Sequence, residues 1–191
     1  NFRGISADLL ELIRLRTGLR FDIQRGRGDN DMIGQVKGHH ADLIAALLPS
    51  PQRETELNFS RPYLENSFVL LTRKSAASAS NLQQLQDQRV AIAQGNPLVD
   101  YLRNEYPRIQ LIETPDTFYA VKMLAEGQVH GAATSLVIAN YFISSRVFEH
   151  KLQISTTIGT QQAAFSLATA RDAPELSAIL DKALLSIAPE E

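Results

Sequence analysis

The chain has 191 residues, enough for one domain or for two small lobes. Apolar residues make up 44% and charged residues 21%, which excludes a disordered chain. The net charge of −2 carries no electrostatic footprint for nucleic acid or an anionic membrane, and the absence of cysteine excludes disulfide frameworks, thiolate zinc sites and cysteine nucleophiles.

A chain of this size buries roughly 70% of its unfolded surface, so no metal or disulfide staple is needed. No apolar stretch approaches the roughly 20 residues of a transmembrane helix. Neither a starting Met nor a signal-peptide pattern is present, so the chain is expected to be a segment of a longer protein.

The first periodic segment, residues 5–17, carries an apolar stripe of Leu9, Leu10, Leu12, Ile13 and Leu15, and Gly18 stops it. Residues 19–23 alternate apolar and polar, which predicts a half-buried strand. A glycine-rich loop follows over 25–29, then a short helix over 32–37, broken at Gly38-His39-His40. Residues 41–48 are apolar over the length of a buried parallel strand, ended by Pro49-Ser50-Pro51. Residues 68–72 predict another strand. The small-residue run 75–80 has the bias of a link between lobes.

Beyond the link, helix is expected over 81–86, 98–105, 117–126 and 137–144. Strand is expected over 89–93, 109–113, 131–135, 152–158 and 163–168. Residues 174–187 form an amphipathic closing helix. Helix, strand, helix, Gly, strand runs through residues 7–47 and again through 98–134. The step from strand to strand is similar in both, from Phe21 to Leu43 and from Leu111 to Ala132. Two such units predict two α/β lobes with mostly parallel sheets. Ligands in such sheets sit at the carboxyl ends of the strands.

At residues 41–63 the text becomes specific. ADLIAALLPSPQRETELNFSRPY resembles the central signature of the bacterial extracellular solute-binding proteins of family 3: Gly-x-x-Asp, an apolar strand, Thr-x-x-Arg, then Phe-Ser-x-Pro-Tyr. GISADLLELIRLRTGLRF and NLQQLQDQRVAIAQGNP are similar to that family's first helix and second strand and to its linker into lobe two. The resemblance implies a type II periplasmic-binding-protein Venus flytrap, two α/β lobes with mainly parallel sheets joined by two hinge strands. Residues 1–73 and 159–191 would form lobe one and 74–158 lobe two. The family's N-terminal strand and the helix after Ala188-Pro189-Glu190-Glu191 are expected to be missing. LPSPQR, FSRPYL and the ending ALLSIAPEE are further similar to the flytrap modules of BvgS- and EvgS-type hybrid sensor histidine kinases.

The resemblance implies ligand-binding residues. Arg53 would grip an anionic group through its guanidinium fork; a loop-capping surface arginine is the alternative. The family places hydroxyls just before that arginine, where Ala46 and Leu48 offer only backbone groups. An Asp that meets the ligand's ammonium is replaced by Ser135, next to Thr134. Three readings therefore stand: a carboxylate ligand without an amino group, weak binding, or no small ligand. Asn96, at a strand–turn–helix junction, offers backbone donors to an anion or simply caps the helix. Tyr63 would wall the cleft, with core packing as its alternative, and Tyr119 would sit at the rim.

His39 and His40 are adjacent and do not converge on a metal, and His130 reads as a structural histidine. No Gly-x-Ser-x-Gly, Gly-x-Gly-x-x-Gly or P-loop pattern occurs. The cleft acid that flytrap-fold dehydratases require has no counterpart among Asn96, Thr134 and Ser135. The expectation is a non-enzymatic module without cofactor or metal, in the periplasm as part of an inner-membrane sensor kinase. It would bind a small anionic or amino-acid-like solute and neighbour a second flytrap or membrane-anchored kinase segments, with a homodimer left open. The alternative is a soluble amino-acid receptor of a transporter.

Overall fold

A computed structural model describes residues 4–75 and 77–187. In chain order the elements are α1 (Ile5–Thr17), α2 (Asp29–Lys37), β1 (Leu43–Leu47), α3 (Pro51–Glu56), β2 (Leu57–Phe59), β3 (Leu64–Arg73), β4 (Arg89–Ala93), α4 (Leu98–Glu105), β5 (Gln110–Thr114), α5 (Thr117–Ala125), β6 (Gly131–Ser135), α6 (Leu136–Ile143), β7 (Leu152–Ala170) and α7 (Pro174–Ser186). They form two compact units. Unit 1 is Asn1–Leu64 with Ala164–Glu191, and unit 2 is Glu65–Ala163. These limits put all but the first residue of β3 in unit 2.

In unit 1, β1 and β2 both pair antiparallel with the last part of β7: Leu43 opposite Thr169, and Leu57 opposite Ala170. The expected mainly parallel sheet is therefore not what the described strands of this unit form. Apolar side chains cover the sheet in two groups. Leu9, Leu10 and Ile13 of α1 pack with Leu180, Ala183 and Leu184 of α7 around Leu167. Ile33 and Val36 of α2 pack on Ile44, Leu47, Leu57 and Ala168. Gly18 ends α1 at φ 75°, its N–H donating to the Arg14 carbonyl at 2.9 Å, so the chain turns where a side chain would be strained.

The strand expected over 19–23 is absent. Leu19 and Phe21 do pack partly into the α1–α7 core, but the segment carries no ladder bonds and Ile23 is exposed. Alternation recorded burial, and without a neighbouring backbone it makes no strand. The expected repeat thus shares three of its four elements.

In unit 2, β4 lies parallel to both β5 and β6, Val90 facing Leu111 on one side and Gly131 on the other. β3 pairs antiparallel with β6, Phe68 opposite Ser135. The core lies between this sheet and its helices, with Val69, Leu71, Ala91, Val121, Leu124, Ala132 and Phe142 among its buried members. The two strands expected over 152–158 and 163–168 are one 19-residue strand, β7, which runs on from unit 2 into unit 1. Gly159 stands in its middle at φ 60°.

Candidate functional site

Unit 1 holds Arg53, Leu48 and Tyr63. Pro49-Ser50-Pro51 stops β1 and starts α3, because Ser50 accepts from the Arg53 N–H at 3.2 Å and Pro51 occupies the first helical turn. That cap fixes the backbone of Arg53 and turns its side chain inward, where only 4% of the residue is exposed. Its Nη1 donates to the Leu48 carbonyl at 2.8 Å, so that backbone group is taken up by Arg53 itself. Its Nη2 reaches Oδ2 of Asp29 at 3.3 Å. Burial pulls the Arg53 pKa below its ordinary value, and the charge and hydrogen bond of Asp29 push it back up. Arg53 is thus neither a surface arginine nor a bare cation. It is a buried guanidinium held by its own chain.

Asp29 was the residue sequence reasoning missed, since the loop was expected to run through it. It is instead the first residue of α2, which begins three residues earlier than predicted. The signal was present in Asp29 and Asp31, two acids in one first turn, where the helix dipole favours negative charge. Asp31 accepts from the Arg27 N–H at 2.9 Å and from Gln35 at 3.1 Å; the first of these bonds holds its carboxyl below the usual range.

Tyr63 is half-buried in the α1–α7 core. Its hydroxyl donates to the Ala45 carbonyl at 2.6 Å and meets Ser6 Oγ at 3.1 Å. Its backbone N–H donates to the Phe165 carbonyl at 3.0 Å. These bonds tie the end of the Phe-Ser-Arg-Pro-Tyr block to β1, α1 and β7. Phe59 is half-buried against the α2 side of the sheet.

Unit 2 holds Asn96, Tyr119, Thr134 and Ser135. Because β4, β5 and β6 run parallel, their carboxyl ends share one edge, and α4, α5 and α6 start there. Each helix start is met by an oxygen of the chain itself. Asn96 Oδ1 accepts from the Leu98 N–H at 2.9 Å. Asp116 Oδ1 accepts from the Tyr119 N–H at 2.7 Å. Ser135 Oγ accepts from Ile138 at 3.3 Å, and Asn66 Oδ1 accepts from Val137 at 3.1 Å.

Ser135 and Thr134 are almost wholly buried on β6, at 1% and 2% exposure, whereas Tyr119 is half exposed. Asp116 and Asn66 went unread. The first was legible as an N-cap before a helix, but Asn66 acts across 71 residues, a separation no local pattern reports.

The histidines stay apart from this edge. His39, at φ 58°, pairs with Asp172 at 3.0 Å on the surface of unit 1, and His130 is exposed with its backbone N–H on the Arg89 carbonyl. Among the described residues no three His, Asp or Glu side chains gather as a metal site, and no helix is long and apolar enough to cross a membrane.

Comparison with known proteins extends over the same ground. The chain is 34% identical over 190 residues to the virulence sensor protein BvgS of Bordetella bronchiseptica, covering 100% of this chain and 15% of BvgS. It is 26% identical over 189 residues to the sensor protein EvgS of Escherichia coli, covering 99% of this chain and 16% of EvgS. The chain therefore spans about one-sixth of the length of these relatives. Among solved structures, the periplasmic VFT2 domain of Bordetella pertussis BvgS superposes with a TM-score of 0.92 at 34% identity, over 100% of this chain and 81% of that one. The family model of the bacterial extracellular solute-binding proteins, family 3, matches residues 1–191, and with the two α/β units and the VFT2 likeness it makes this chain a member of that family with a Venus-flytrap fold.

Proposed function

We propose that the chain is a periplasmic Venus-flytrap sensing module of a membrane-anchored sensor histidine kinase. Unit 1 and unit 2 act as its two lobes, and the module itself performs no catalysis. The observation that carries this reading is the similarity to BvgS over the whole chain, with the VFT2 domain as its structural counterpart. The signal is a shift in the equilibrium between lobe arrangements. A solute shifts it only through its different affinity for the two states.

Arg53 is the anchor for an anionic group in unit 1. Its support is chemical: a guanidinium is planar, always charged, and matched to a carboxylate. In this reading the backbone groups near Leu48 and Tyr63 serve unit 1, while in unit 2 the exposed Tyr119 and the capping Asn96 stand at the carboxyl edge that the buried Thr134 and Ser135 shape from within.

The test uses membranes from cells expressing the complete gene product. Autophosphorylation is measured with and without a panel of carboxylates and amino acids, in wild type and Arg53→Lys. A response to a panel member that weakens in Arg53→Lys supports the reading. A gene product without phosphotransfer activity that binds an amino acid tightly would replace it with the transport-receptor alternative.

A further inference from the structure

Arg53 and Asp29 differ in what they show to solvent. The Arg53 side chain is 5% exposed, whereas that of Asp29 is 41% exposed, and Asp29 Oδ2 lies 3.3 Å from Arg53 Nη2. The other terminal nitrogen, Nη1, is on the Leu48 carbonyl at 2.8 Å. The carboxylate is therefore the more solvent-accessible partner of the pair. The partner is also well placed to stay. Asp29 is fixed at the first residue of α2, whose buried Ile33 and Val36 pack on β1 and β2, and Arg53 is fixed by the Ser50 cap. An acceptor tethered on a rigid element acts at an effective concentration of the order of millimolar or above, which a free solute must match.

We propose that Asp29 is the module's own carboxylate for Arg53: it occupies the guanidinium face that a free carboxylate would take and so sets the affinity threshold of the site. The inference rests on the reading of Arg53 as the anchor. It narrows the solute class, because a simple monocarboxylate that offers Arg53 no more than Asp29 already does gains little by displacing it. Ligands that bind must compensate with further contacts or must engage the pair from outside as hydrogen-bond donors. The helix starts of unit 2 follow the same pattern, since Asn96, Asp116, Ser135 and Asn66 already supply the oxygens an anion would bring.

The test is a titration of the chain with acetate, benzoate and L-glutamate, followed in every protein by the shift in melting temperature and, in the two proteins that keep Arg53, by its guanidinium NMR resonances. Four proteins are compared: wild type, Asp29→Asn, Arg53→Lys and the double variant. Asp29→Ser stands in if Asp29→Asn fails to fold.

The expected result is at least a roughly tenfold tighter apparent affinity for one or more of these carboxylates in Asp29→Asn, the scale of a partly buried charge pair. That gain should shrink in the double variant, where the lysine keeps the charge but not the planar fork. Unchanged affinity in Asp29→Asn, with wild-type binding weakened by Arg53→Lys, overturns the role of Asp29 and leaves Arg53 as anchor. A gain of the same size in the double variant also overturns it. If no carboxylate moves the Arg53 resonances in either wild type or Asp29→Asn, the anchor reading itself fails and takes this inference with it.

Discussion

The Tyr63 hydroxyl lies 2.6 Å from the Ala45 carbonyl oxygen, on β1, and 3.1 Å from Ser6 Oγ, on α1. One side chain thus joins three segments far apart in sequence, and burial pushes its phenol pKa up, against a smaller opposing effect of the Ser6 bond. Replacing Tyr63 by Phe keeps the ring in the α1–α7 core and deletes the hydroxyl, leaving the Ala45 carbonyl short of a donor. Tyr63→Phe should lower stability by about 1–2 kcal/mol, read as a lower urea midpoint with an unchanged slope. A stability equal to wild type would mean that water replaces the hydroxyl at Ala45.

Arg53 carries a structural load as well as its proposed binding role. Arg53→Ala removes a buried donor from the Leu48 carbonyl and the counter-charge from Asp29. A fully buried pair broken on one side costs about 3–5 kcal/mol, and Asp29 can rehydrate, so a loss of about 1–3 kcal/mol is expected. Arg53→Lys keeps the charge but not the planar fork, and should cost less than the alanine change. Thermal melts of both variants beside wild type check this ordering. If Arg53→Ala melts with wild type, the Leu48 and Asp29 contacts contribute nothing to the fold.

The Arg61–Asp181 pair gives unit 1 a pH dependence of definite sign. Asp181 Oδ1 accepts from the backbone N–H of Arg61 at 2.8 Å and from its Nε at 3.1 Å, and Oδ2 accepts from Nη2 at 2.9 Å. These bonds, the side-chain one first, hold the Asp181 carboxyl below its ordinary pKa. A depressed folded pKa means the contribution is fully present above the unfolded value, about 3.9, and is lost as pH falls through the lower folded value. Asp181→Asn should therefore flatten the acid side of the stability–pH curve and leave its shape near neutrality alone. Stability curves for the two proteins measured between mildly acidic pH and pH values below the carboxylate range test it; parallel curves would exclude Asp181 as a contributor.

What the sequence made legible follows from how local each signal is. The stretch 41–63 was legible because its resemblance to the family signature lies within a few residues, and Ser50, Pro51 and Arg53 inside it also fix a cap, a turn and a side-chain direction together. The β4–α4–β5–α5–β6 run of unit 2 was readable because each strand is short and bounded by turn residues. The segment 19–23 failed because alternation reports burial of Leu19 and Phe21 and says nothing of a pairing partner. The short α3 and β2 went unread for the opposite reason, being too brief to show a period. Asp29 escaped because its role depends on Arg53, 24 residues away. Helix periods and adjacent caps are written locally, whereas the pairing partner of a strand, a distant cap such as Asn66 and the partner of a buried charge are decided by the fold.

Gly159 shows the same division within one residue. A glycine inside a run of strand-formers predicts a break, and two strands were expected around it, yet β7 continues unbroken from Leu152 to Ala170. Two separate reasons keep a side chain out. The backbone stands at φ 60°, where an L-residue is strained, and a Cβ would lie 3.0 Å from Tyr101 Cζ and 3.2 Å from its hydroxyl oxygen. Gly159→Ala should cost about 1–2 kcal/mol from the backbone alone, with a further loss from displacing Tyr101. A double-mutant cycle with Tyr101→Ala separates the two. Removing the ring should return the steric part of the loss and leave the backbone part, so Gly159→Ala remains destabilising in the Tyr101→Ala background but by less than in wild type. Equal losses in both backgrounds would assign the whole requirement for glycine to the left-handed φ, and no loss in the Tyr101→Ala background would assign it to the ring.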